Sequence, residues 1–355
     1  MQFRTTRTSV RPPAERLGGQ LPPDSTQLQL RVVFMVWLLA FLLKHAGSAW
    51  DIAWHFRYVF GALEPPHWLN AAGSALAAVL LWYQMTTGRA LDRAGFLVMQ
   101  IAFVIFVISM PLDVLNHSLF GLDVTVWSPT HMLGFAATSL MMVGLLQSWL
   151  RLAAPGRWRL TIGLICCAFL LDDAIFMLGQ QEYGVIALEA YARGVTTASP
   201  ELLAQAGRDP ERFISGGIPS WVYPVWMILT GTLVFVAAHR MLEWRWTALA
   251  VALIYLAFRV AGRLLLGALD FPVSFIPVML LLGAFIVDVA ETRQRSPATA
   301  ALAIVATYYA SAALIGRYTL MPEFAITSAP FVFAGLWLML ARPGLTRITH
   351  RPMSA

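Results

Sequence analysis

Two stretches of the sequence repeat a pattern that carries chemistry. One is Trp50-Asp51-Ile52-Ala53-Trp54-His55 and the other is Leu112-Asp113-Val114-Leu115-Asn116-His117. Each contains Asp-x3-His, and a spacing of four places both side chains on one face of a helix, a turn apart. In each case a further His opens the next helix beside a Pro, in Pro66-His67 and Pro129-Thr130-His131. Asp51, His55, His67, Asp113, His117 and His131 thus include four of the seven His in the chain. Each set offers two imidazoles and one carboxylate. Three such donors with an open position suit a Zn, Cu or Fe ion. The spacing is compatible with two mononuclear sites or with one dinuclear centre. Trp50, Trp54, Trp68 and Trp127 stand near these residues and are expected to form a dry shell around them. The competing reading is structural: Asp51 and Asp113 pair with Arg57, Arg259 or Arg263, and the His bridge helices.

The surrounding chain says what must position these groups. Of its 355 residues, 58% are apolar and 12% are charged, where a soluble domain carries about 25% charge. That composition excludes a secreted disulfide scaffold, a disordered chain and a nucleic-acid binder. The two Cys are adjacent, Cys166 and Cys167, with no metal-ligand spacing. Ten apolar segments, near 29–55, 67–87, 95–117, 129–149, 159–181, 219–239, 246–266, 273–290, 297–316 and 324–341, have about the length that crosses a bilayer. The predicted fold is all-α: a polytopic membrane helix bundle of about ten transmembrane helices arranged as repeated hairpins. Residues 1–28 form a basic, disordered cytoplasmic tail, 29–342 the transmembrane domain, and 343–355 a second cytoplasmic tail.

The net charge of +6 comes from 24 Arg and a single Lys, Lys44, against 19 acidic residues. The Arg cluster in alternate connections: Arg89 and Arg93; Arg151, Arg157 and Arg159; Arg240 and Arg245; Arg293 and Arg295. The positive-inside rule then places both termini in the cytoplasm, in the inner or plasma membrane. The spare charge records orientation, so the lipid bilayer is the expected partner and nucleic acid is not.

The ten segments pair into five hairpins that turn on the outer side, and the seventh segment aligns with the third, with Arg259 and Arg263 at the Asp and His positions. This pattern reads as hairpin duplication, a common feature of transporters. The one long outer connection, 182–218, contains Ser199-Pro200-Glu201 and Asp209-Pro210-Glu211. Each is an N-cap followed by Pro at the first helical position. Short helices are expected there, as a lid or as an ordered loop with no gating role. Lys44 is expected to pair with Asp172 or Asp173, which also stand as partners for Arg259 and Arg263. His45 is expected to be a satisfied buried His.

The first copy, with Asp51, Trp54 and His55, and the second, from Gly121 through Asp123 to Pro129 and His131, share a further likeness. Together they resemble the copper-binding segment of the C subunit of particulate methane and ammonia monooxygenases. That family has Asp-x-x-Trp-His, then an Asp-Thr stretch, then Pro-x-His. The first copy keeps the first half and the second copy the last. The resemblance implies copper, with Asp51, His55 and His67 as one ligand set and Asp113, His117 and His131 as the other. It also implies oxidation of a small apolar substrate. Three functions follow from the sequence: a membrane metalloprotein with an outer-facing Asp/His centre, a transporter or metal-handling permease, and a structural subunit without metal.

Overall fold

The computed structural model describes residues 24–58, 64–120 and 126–341. The predicted tails 1–28 and 343–355 lie outside these residues apart from 24–28, and so does Asp123. Among the described residues there are thirteen α-helices and no strand. The first four are α1 (Asp24–His55), α2 (Pro65–Thr87), α3 (Arg93–Phe120) and α4 (Pro129–Leu152). Next come α5 (Arg157–Ile175), α6 (Gly179–Ala192), α7 (Pro200–Arg208) and α8 (Pro210–Ser215). The last five are α9 (Val222–Leu242), α10 (Thr247–Ala268), α11 (Met279–Thr292), α12 (Pro297–Ile315) and α13 (Ala329–Ala341).

Seven of these elements are long and apolar enough to cross a membrane: α1, α3, α4, the joined α5 and α6, α9, α10 and α12. Three of the ten predicted spans fall on helices outside this set. Asn70, Ser74 and Gln84 dilute the apolar character of α2. Helices α11 and α13 have only 14 and 13 residues, where about 20 are needed for an upright crossing.

Helix α1 lies along α2, and α3 along α4, as two antiparallel hairpins that meet α5 through α1 and α4. Helix α5 packs on its other side against α9 and α10, and α9 leads on to α11 and α13. The α1–α2 seam depends on glycine. A Cβ on Gly47 would lie 2.7 Å from the Asn70 backbone nitrogen, and one on Gly73 would lie 2.6 Å from the Ala40 carbonyl oxygen. Small residues at such a crossing let backbones approach where lipid offers no hydrophobic drive to pair helices.

The predicted caps at Ser199 and Asp209 are present. The Ser199 side chain accepts from Leu202 N and that of Asp209 from Arg212 N, starting α7 and α8. The fifth predicted span ends differently from expectation. The apolar pattern predicts an end at 181 and a connection beginning at Glu182, but the helix continues through a 3-10 turn at Phe176–Leu178 into α6 and reaches Ala192. The joined rod has 36 residues. At 1.5 Å per residue that is about 54 Å, well beyond the roughly 30 Å hydrocarbon layer. Glu182 reads as a polar terminus in the sequence, yet it is 1% exposed. Its carboxylate is satisfied inside the bundle by Arg259 and by the Tyr223 hydroxyl at 3.0 Å. The two Cys are buried and unlinked, as small apolar residues.

Replacing Gly73 with Val should force α1 and α2 apart and cost about 1–3 kcal/mol. Gly207 in α7 has nothing within 4 Å of an added Cβ, so Gly207→Ala should be neutral or gain up to about 1 kcal/mol. Thermal unfolding of both variants in detergent checks the contrast.

Candidate metal centre

The C-terminal end of α1 carries Asp51 and His55, and the start of α2 carries His67. The Asp51 Oδ1 lies 3.1 Å from His67 Nε2 and 3.6 Å from His55 Nε2. A fourth residue joins them. Glu64 is the N-cap of α2, its backbone carbonyl accepts from His67 N at 3.0 Å, and its side chain makes no cap hydrogen bond. One donor atom from each of Asp51, His55, Glu64 and His67 lies within 4.8 Å of the others, and Glu64 is buried. Donors about 2.0–2.2 Å from a tetrahedral ion stand about 3.3–3.6 Å apart. Two imidazoles and two carboxylates make a donor set suited to a divalent first-row ion.

The α3–α4 pair places Asp113 and His131 in a similar way, with a change at the cap of the second helix. Glu64-Pro65-Pro66-His67 aligns with Ser128-Pro129-Thr130-His131, so a hydroxyl stands where the first hairpin has a carboxylate. Ser128 Oγ caps α4 by accepting from His131 N, and it lies 3.0 Å from His131 Nδ1. That contact leaves Nε2 of the ring toward Asp113, 3.5 Å from its Oδ2. Thr130 Oγ1 donates to the other Asp113 oxygen at 2.6 Å. His117 lies in α3, but its side chain is outside the described residues.

Both hairpins open on one cavity of about 550 Å³, whose lining includes Asp51, His55, His67, Asp113 and His131. The structure therefore brings five of the six predicted residues to one space, adds Glu64 to the first set, and leaves Asp113 with His131 as a pair on the same cavity. Glu64 was missed because an acidic residue before Pro-Pro reads as helix capping. The useful signal was its place three residues ahead of His67, where Ser128 stands ahead of His131.

Several expected partners are corrected. Asp51 and Asp113 do not pair with Arg57, Arg259 or Arg263. Arg57 donates to the carbonyls of Leu269 and Asp270, Arg263 to that of Ser274, and Arg259 pairs with Glu182. Asp173 accepts from Ser139 Oγ at 2.5 Å, and Asp172 lies 3.7 Å from His45 Nε2. Lys44 donates to Asn70 Oδ1 and Ser74 Oγ, both at 3.2 Å, instead of pairing with a carboxylate. The predicted indole shell is also replaced. Trp68 is 64% exposed, Trp54 stacks on Phe271 at 5.8 Å and Trp127 meets Trp226 at 5.6 Å. The aromatic wall of the cavity is made of Phe56, Phe106, Phe135, Phe176 and Phe213. Adjacent positions on a helix point in different directions, so neighbours in sequence need not share a cavity.

The 182–218 segment supplies part of that wall. Phe213 is buried against Phe56, with ring centroids 5.0 Å apart, and its carbonyl accepts from Gln180 Nε2 at 2.9 Å. The Tyr191 hydroxyl donates to the Phe56 carbonyl, and Ser199 N donates to that of Arg57 at 2.8 Å. These bonds fasten the segment to the C-terminal end of α1.

Ser128→Ala removes an N-cap and the partner of the His131 ring, so it should cost about 1 kcal/mol, while Ser128→Thr should retain most of that stability. Thermal unfolding of the two variants side by side measures the difference. No protein-family model, no curated protein and no solved structure matches the chain.

Proposed function

We propose that this chain is an integral membrane metalloprotein in which Asp51, His55, Glu64 and His67 hold one transition-metal ion at the outer end of the first helical hairpin. The observation that carries this reading is the convergence of four donor atoms within 4.8 Å at the mouth of a cavity. Carboxylates and imidazoles inside membrane helices are expensive to place and mark functional sites. Copper is the ion that the resemblance implies, and zinc and iron accept the same donors. Copper, when bound, supplies one-electron redox chemistry. Asp113 and His131 face the same cavity, with the carboxylate held by Thr130 and the ring by Ser128. In this reading they accept or return a proton there, and Phe106, Phe135 and Phe176 keep the space dry for a small apolar substrate. The 182–218 segment restricts access from outside.

The same proposal has ten spans in five hairpins with both termini in the cytoplasm of the inner or plasma membrane. Its support is the alternation of Arg-rich connections.

A metal-handling permease is the second reading. It is favoured by the reach of the cavity, which runs inward from Asp51 to Lys44, seven residues or about 10 Å along α1. Against it stands the Lys44 ammonium, which repels a cation entering that depth. Flux of the metal into proteoliposomes without redox turnover would favour the permease.

Metal analysis of purified protein tests the central reading. The wild type should carry about one equivalent of metal, and His55→Ala with His67→Ala should lower this at least about tenfold. Equal and negligible metal in both would overturn it. Glu64→Gln keeps the shape and removes one anionic donor, so it should weaken the affinity by about tenfold or more, as read by competition with a chelator.

A further inference from the structure

The inner end of the cavity has a chemistry of its own. Lys44 is 4% exposed and lines the cavity, yet its two hydrogen-bond partners, Asn70 and Ser74, are neutral. Nζ also lies over the face of Phe106, 3.6 Å from the ring centroid. A ring face is a weak acceptor that an oxygen can displace. Asp173 lines the same cavity and is 5% exposed. Ser139 occupies its Oδ2, which leaves Oδ1 for a donor in the cavity.

Behind them, His45 places Nδ1 2.7 Å from the Phe41 carbonyl and Nε2 3.1 Å from the Phe169 carbonyl. Asp172 Oδ2 lies 3.7 Å from the same Nε2. The inner end therefore combines two basic groups, Lys44 and His45, with two acidic ones, Asp172 and Asp173.

A cavity floor of this kind discriminates by charge. An anion reaching Lys44 is repelled by Asp173, and a cation reaching Asp173 is repelled by Lys44. A hydroxyl suits both, because it accepts from the ammonium and donates to the carboxylate. We infer that Lys44 and Asp173 form a binding site for the hydroxyl head group of a neutral amphiphile, whose apolar body lies along Val107, Met110 and Phe135 toward the outer cluster. The site is distinct from the proposed metal centre and does not depend on it.

Calorimetric titration of the purified protein in the presence of a chelator tests this with three probes of one shape: benzyl alcohol, benzoate and benzylammonium. The wild type should bind the alcohol at least about tenfold more tightly than either ion, since like charges at close quarters are strongly disfavoured. Lys44→Met should reverse the order in favour of benzylammonium, and Asp173→Asn in favour of benzoate. If one variant fails to fold, as judged by helicity and elution, the reversal in the other decides. The same order of binding in all three proteins, a wild-type preference for an ion, or no binding of any probe would overturn the proposal. The His55→Ala, His67→Ala protein should keep the preference for the alcohol. Its loss there would place the ligand at the outer cluster and would also overturn the proposal. A protein that binds the alcohol but no metal would sink the metal reading alone.

Discussion

The buried pair of Glu182 with Arg259 holds the frame on which the cavity is built. Neither charge is tolerable alone inside an apolar bundle, and each is supported beyond the other. Tyr223 donates to the carboxylate, while the guanidinium reaches the Ser274 hydroxyl and the Phe275 carbonyl. Removing one partner from such a pair costs about 3–5 kcal/mol, most of it the penalty of a stranded charge. Because the pair is satisfied, α5 continues as α6 where an unpaired Glu would have ended the apolar segment. The rod then joins α10 through Arg259 and α9 through Tyr223, and its upper part carries Gln180, which holds the Phe213 carbonyl over the cavity. The walls of the site therefore depend on an interaction far from its donors.

Against that frame the two hairpins serve unequal ends. They share Asp and His at matched positions, but the residue before the second Pro-x-His is Ser128 where the first hairpin has Glu64. The carboxylate makes a four-donor cluster. The hydroxyl instead spends itself on the α4 cap and on the His131 ring. One side of the cavity thus gathers four donor groups, while the other keeps Asp113 and His131 as a pair.

Much of this was legible in the sequence where the signal is local. The Asp-x3-His spacing put Asp51 beside His55, and the Ser-Pro and Asp-Pro pairs marked the starts of α7 and α8. What remained hidden depends on pairing across the bundle. Glu182 looked like a boundary because nothing local shows that Arg259 reaches it. Asp172, Asp173 and Lys44 were assigned partners by charge alone, whereas Asn70, Ser74, Ser139 and His45 hold them. The tryptophans near the site in sequence do not line the cavity, and Phe56 just past the end of α1, Phe106 of α3, Phe135 of α4, Phe176 of the 3-10 turn and Phe213 of α8 make its wall. Side-chain direction around a helix axis is set by packing, which spacing alone leaves open in a segment apolar on all sides.

X-ray absorption at the metal edge of copper-loaded protein tests the central claim most directly. One ion per chain should show a nitrogen and oxygen shell near 2.0–2.1 Å, with outer-shell scattering from two imidazoles that His55→Ala and His67→Ala each reduce. An ion without imidazole scattering, or one bound through sulfur, would contradict a centre made of Asp51, His55, Glu64 and His67.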